Sequence, residues 1–191
     1  MKIHRTMAAA ATTGALALGL ALPATGTANA SAPAKEAGDS HRLYVRLENM
    51  HLVDDESNWD GPFDDGKTAE VGNYGPEIRT IVLTHGSPSG QVVFSHCAGG
   101  EVRGLLVINL RLQSDDQVAV SPVLSLYEGT SCSTTDLDGR TYAQPYTLGP
   151  GAVTTRRFSA PSTAEGGLDS ASATYSIRHP KQGGPKVLRR G

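Results

Sequence analysis

Aromatic side chains are scarce in this sequence: one Trp, three Phe and six Tyr among 191 residues. A glycosidase needs two carboxylates flanking a sugar. Here Trp59 and scattered tyrosines offer few sugar platforms, and no single acid and base stand out from the many loop carboxylates. Cysteine is limited to Cys97 and Cys132, with no CxxC pair, so the ligand spacing of a structural zinc site is absent. The histidines after the N-terminal segment are His41, His51, His85, His96 and His179. They form no H-E-x-x-H and no i, i+4 pair, and read as surface or strand-end residues rather than ligands. Gly86-Ser87-Pro88-Ser89-Gly90 has the outline of a nucleophile elbow, but Pro88 stands where the serine must be and no helix follows. His96 and Cys97 are neighbours on a predicted strand. Their side chains therefore point to opposite faces, and no thiol–imidazole pair is aimed. These absences leave no catalytic constellation, and the expectation is a protein that is not an enzyme.

The N-terminal thirty residues carry the layout of a secretory signal peptide. Lys2, His4 and Arg5 form a basic start, residues 7–22 are Ala- and Leu-rich without charge, and Ala28-Asn29-Ala30 is a small-residue cleavage site. The apolar run is too short and too interrupted for a spanning helix of about 20 residues. The expected organisation is a signal peptide at 1–30, a flexible leader at 31–40, a β-domain at 41–180 and a disordered basic tail at 181–191. Charge divides along the same lines. Residues 31–177 carry 10 basic against 19 acidic side chains, while Arg178, Lys181, Lys186, Arg189 and Arg190 follow with no acid. An acidic body argues against a nucleic-acid surface. The expected product is an exported, secreted monomer with no membrane span after signal removal.

Glycine and proline are plentiful, 22 and 11 residues, and spread along the chain. Many short strands separated by turns fit that composition better than helices. The strongest pattern lies between the two cysteines. Leu106, Ile108, Leu110 and Leu112 share one parity, and so do Val118, Val120, Leu124 and Leu126. Period two means strands, and the short link Ser114-Asp115-Asp116-Gln117 makes them a hairpin. Cys97 and Cys132 sit almost symmetrically about its tip, so the hairpin brings them together at its open end. In an exported chain two such cysteines pair. Pro122 cannot donate a ladder hydrogen bond and implies an edge or a bulge. Leu43, Val45 and Leu47 alternate, then Met50 and Leu52 continue on the other parity, predicting a bulge near Glu48–Asn49. Ala171, Ala173, Tyr175 and Ile177 mark a half-buried terminal strand. Residues 128–140 read as a polar loop, and 141–148 as one strand. In all, seven to nine strands are predicted, with a two-sheet antiparallel β-sandwich as the architecture and a small β-barrel as the alternative.

The segment Leu126-Tyr127-Glu128-Gly129-Thr130-Ser131-Cys132, ending in Asp136-Leu137-Asp138-Gly139, resembles a phrase in uncharacterised small secreted actinobacterial β-domain proteins. That resemblance implies an exported β-domain and supplies no activity.

One acidic stretch stands out as a cation site. Asp54, Asp55, Glu56, Asp60, Asp64 and Asp65 fall within twelve residues. Calcium takes clustered loop oxygens. Glu56-x-Asn58-x-Asp60-Gly61 has the alternation of an EF-hand start, but Glu56 opens it and Lys67 ends it, both against the pattern. A sandwich could instead gather Asp54, Asp55 and Asp60 with Asp136 and Asp138 at one end. Against this stands a solvated acidic loop with no cation. Calcium is thus the one cofactor considered, and Trp59 and Phe63 in the same loop are the candidate binding contacts. The expected function is non-catalytic binding of an extracellular partner through the loops: a cell-wall glycan, a surface or a protein. The alternative is a secreted protease inhibitor presenting residues 86–90 or 131–136. A calcium-dependent module and a hydrolase rank below both.

Overall fold

A computed structural model of the chain describes residues 40–54, 70–163 and 169–181. Among them there is no helix. Ten strands form two antiparallel five-stranded sheets, packed as a sandwich and not closed into a barrel. The strands are β1 (His41–Asp54), β2 (Glu70–Tyr74), β3 (Glu77–Leu83), β4 (Ser89–Ala98), β5 (Val102–Leu112), β6 (Val118–Tyr127), β7 (Leu137–Tyr142), β8 (Tyr146–Leu148), β9 (Val153–Pro161) and β10 (Ser170–Arg178). One sheet runs β2-β1-β10-β9, with β3 beside β2 along the same edge of β1; the other runs β4-β5-β6-β7, with β8 beside β7 along β6.

The alternation seen in the sequence becomes the core. Leu43, Val45, Leu47, Met50 and Leu52 of β1 are fully buried, and so are Leu106 and Ile108 of β5 and Leu124 and Leu126 of β6. Each such side chain contributes about 1.5–3 kcal/mol by leaving water. The parity change in β1 is a bulge: pairing with β10 shifts between Leu47 and Asn49. That shift keeps both Leu47 and Met50 facing inward. It also sets the break in the neighbouring edge, because β1 pairs with β3 up to Leu47↔Glu77 and with β2 from Met50↔Tyr74. Gly75 (φ +120°) closes that break, and a Cβ there would lie 2.9 Å from the Glu48 carbonyl oxygen.

The central hairpin is β5–β6, with Leu112↔Val118 as its last pair before the tip. Pro122 is a finding of its own. It lies in an interior strand and not at an edge, yet no ladder bond is lost. β7 pairs β6 from Val123 onward and β8 pairs it up to Val120, so Pro122 faces the gap between them. Its carbonyl accepts from Ala143 N–H at 3.1 Å. The predicted single strand at 141–148 is thus two strands bent around that proline. Leu137–Gly139, predicted as loop, begins β7 instead. These changes bring the strand number to ten.

Strand direction gives the sandwich two poles. The tip of the β5–β6 hairpin, the start of β1 and the ends of β3, β8 and β10 share one pole. The open end of that hairpin, the ends of β1 and β4 and the start of β10 share the other.

Candidate functional site

At the second pole Cys97 and Cys132 form a disulfide with Cα atoms 5.7 Å apart. It ties the end of β4 to the segment following β6. That segment is a compact turn. Thr134 N–H donates to Ser131 O at 2.9 Å, and the Thr134 hydroxyl donates to Glu128 O at 2.9 Å. Arg103 Nη2 donates to Thr134 O at 2.6 Å, with its guanidinium 4.5 Å from the Tyr127 ring centroid. His96 turns away from the cysteine beside it and stacks on Tyr74 at 4.7 Å.

Carboxylates gather at this pole, though not as the sequence alone suggests. Glu128, Asp138 and Asp169 place carboxylate oxygens within 4.8 Å of one another. Asp138 and Asp169 are buried, as is Asp54 at the end of β1. Asp136 is exposed and outside the cluster. Asp55, Asp60, Asp64 and Asp65 lie outside the described residues, as do Trp59 and Phe63. With one converging oxygen from each, the three carboxylates supply three of the six to eight oxygens that calcium takes. Glu128 and Asp169 were not candidates from sequence. Their signal is position: one follows β6 and the other precedes β10, at the pole where β1 ends.

The first pole holds a different chemistry. His41 opens β1 and is 1% exposed; His179 follows β10 and is fully buried. His41 Nδ1 lies 3.0 Å from His179 Nε2. His179 Nδ1 lies 3.3 Å from the Leu148 carbonyl oxygen at the end of β8. A carbonyl oxygen only accepts, so His179 Nδ1 carries the proton. On the far side, Asp116 Oδ1 lies 3.5 Å from His41 Nε2 and 3.0 Å from His85 Nε2. Asp116 reaches them because the hairpin tip holds it at φ 65°, a left-handed conformation that aspartate adopts more readily than most residues. Three histidines read from sequence as surface or strand-end residues therefore converge, and two of them are buried. Each does lie at a strand end, and antiparallel order places those ends on one pole.

Between the sheets, where β7 gives way to β8, a cleft of about 450 Å³ opens. Residues 143–146 line one wall, and Arg156, Arg157, Phe158 and Tyr175 the other. The Arg156 guanidinium sits 5.0 Å from the Tyr146 ring centroid. Phe158 meets Tyr175 edge to face at 6.2 Å, and the Tyr146 and Tyr175 hydroxyls are 3.3 Å apart. Burial pushes both tyrosines above the ordinary phenol range, so both stay neutral, with Tyr175 moved further. Among the described residues, no carboxylate lines the cleft. Closer to the disulfide the same edges are pinched shut. A Cβ on Gly139 of β7 would lie 2.1 Å from the Pro161 carbonyl oxygen of β9.

No protein-family model matches the chain. No curated protein matches it either. Among solved structures it is similar to the Salmonella SPI-1 type III secretion injectisome secretin InvG (residues 176–end) in the open gate state. That match has 13% identity and a TM-score of 0.27, covering 78% of this chain and 62% of that one. At this score the likeness assigns neither fold nor partner. Among the described residues, no helix is long and apolar enough to cross a membrane.

Proposed function

We propose that the protein is an exported, non-catalytic binding module that holds an anionic extracellular polymer, such as a cell-wall glycan bearing acidic groups, in the cleft beside β8 and β9. The observation that carries this reading is the lining itself. Arg156 is presented on the Tyr146 ring, with no carboxylate among the described lining residues to neutralise it. An arginine held flat on a ring keeps its fork of donors free for carboxylate or phosphate oxygens. The described lining carries Arg156 and Arg157 and no acid, so the cleft is a basic feature on an acidic protein. Export is supported by the disulfide, which suits an oxidising compartment. The signal-peptide layout and the resemblance to small secreted proteins point the same way.

Adsorption to insoluble peptidoglycan carrying wall polyanions, with chitin and cellulose as neutral controls, tests the reading. The protein should be retained on the polyanion and released by salt. Arg156→Ala should abolish most of that retention while leaving the fold intact. Equal retention on the neutral polysaccharides, or retention unchanged by Arg156→Ala, would remove the cleft as the site.

The protease-inhibitor reading keeps one favourable observation. The turn after β6 is exposed, hydrogen-bonded and tethered by Cys132. It presents a tight bend, however, where a protease cleft takes an extended strand. Chromogenic protease assays separate the two readings.

A further inference from the structure

We propose that the pole at the β5–β6 hairpin tip is a transition-metal site, in which His41 Nε2, His85 Nε2 and Asp116 Oδ1 bind one zinc-like divalent cation and His179 positions His41. The site is independent of the cleft and of the carboxylates at the other pole.

Three features build it. The first is convergence: one ligand atom from each of His41, His85 and Asp116 lies within 4.8 Å of the others. These residues come from β1, the β3–β4 turn and the β5–β6 turn, so only the folded sandwich assembles them. The second is spacing. Ligands at about 2.0–2.1 Å from a tetrahedral zinc stand about 3.3 Å apart. The separations of Asp116 Oδ1 from His85 Nε2 and His41 Nε2, 3.0 and 3.5 Å, bracket that value.

The third feature is the proton bookkeeping of the buried pair. His179 Nδ1–H donates to Leu148 O, which leaves Nε2 of a neutral His179 as an acceptor. His41 Nδ1–H must then donate to it. This fixes the tautomer of His41 with its Nε2 lone pair turned toward Asp116 Oδ1. A metal cation between Nε2 and Oδ1 would satisfy that lone pair and the carboxylate together. Metal-binding histidines ordinarily donate their other ring N–H to an oriented acceptor, and here His179 and the β8 carbonyl form that outer layer.

Donor type selects the cation. Two imidazole nitrogens and one carboxylate suit zinc, copper or nickel and do not suit calcium or magnesium, which take oxygen. Three protein ligands leave one coordination position open. His85 and Asp116 are 25% and 37% exposed, so that position faces solvent.

The test uses the untagged full-length exported protein, stripped of metal and titrated with zinc against a chromophoric chelator. One equivalent should bind, undisturbed by a hundredfold excess of calcium or magnesium. Zinc should also raise the melting temperature, which magnesium should not do. His85→Ala and Asp116→Asn alter turn positions that are partly exposed, so both should fold. Each should weaken zinc by more than the roughly 10–100-fold that loss of an outer partner costs. His179→Leu should show that smaller loss. His179→Gln, which can accept from His41 and donate to Leu148 O, should restore most of the affinity. Absence of stoichiometric zinc binding would overturn the proposal. So would zinc binding that survives both His85→Ala and Asp116→Asn. A loss in His179→Leu that Gln does not rescue would overturn the positioning role.

Discussion

The two poles of this sandwich solve the same problem by different means. Each must hold strand ends together, within one sheet at the disulfide and across both sheets at the histidines. At one pole Cys97–Cys132 does so covalently, beside the buried carboxylates Asp54, Asp138 and Asp169. At the other, His41, His179 and the Leu148 carbonyl form a chain of hydrogen bonds from β1 through β10 to β8, closed by Asp116 and His85 from two turns. A covalent link tolerates any ionic condition and fails under reduction. A histidine chain tolerates reduction and depends on the proton or cation it holds. The molecule should therefore open from different ends under different stresses.

Reduction gives the largest test of that contrast. Cys97 and Cys132 are 35 apart in sequence. A loop of that size stabilises by about 4 kcal/mol in the chain-entropy model. The Cys97→Ala, Cys132→Ala double variant should lose about 2–4 kcal/mol in urea unfolding. Zinc affinity at the far pole should change little, since the two sites share no residue. A loss of zinc binding along with the staple would show that the poles are coupled.

The second test acts on the histidine pole. In metal-free protein, His179→Leu removes the acceptor for His41 Nδ1–H and the donor to Leu148 O, both in buried surroundings. Leaving buried polar groups without partners costs about 1–3 kcal/mol. His179→Gln should recover part of it. Urea midpoints for the three proteins, under oxidising and reducing conditions, would show whether this cost adds to that of the lost staple, as expected for distant sites. If Leu is as stable as His, the buried chain contributes nothing to folding.

The same contrast explains what could be read in advance. The stapled pole was legible because its signal is local. The alternation of Leu106 to Leu126 defines a hairpin, and the hairpin defines where Cys97 must meet a partner. The bulge after Leu47 and the strand at Ser170–Arg178 were legible for the same reason. The histidine pole was hidden because its members are far apart in sequence: His41 and His179 are 138 residues apart. No local spacing links them. Only the order of strands does, and that order depends on which sheet each strand joins. The split of 141–148 into two strands was hidden too. It follows from Pro122, whose missing donor must face a gap, but the sequence near Tyr142 gives no sign of that. Of the acidic residues, Asp54 reads from sequence as the start of a loop and is instead the last residue of β1, while Glu128 and Asp169 needed the topology.

The smallest expected effect concerns residues 182–191, whose chain leaves from the histidine pole through His179, Pro180 and Lys181. Lys186, Arg189 and Arg190 give this segment three positive charges and no negative one. It has only Val187 and Leu188 as large apolar residues, so little hydrophobic burial is available to it. Ending the chain after Lys181 should therefore shift stability by less than about 0.5 kcal/mol. The charges should still be felt by a cation approaching Asp116 and His85. Removing them should raise zinc affinity slightly at low ionic strength. That gain should vanish at moderate salt, where exposed charges are screened beyond about 10 Å. Zinc titrations of both chain lengths at two salt concentrations measure this directly. At the stapled pole the same truncation should change nothing, because its held groups lie at the opposite ends of the strands. A truncated chain that unfolds more easily would place the segment against the body and make the histidine pole larger than the four residues assigned to it.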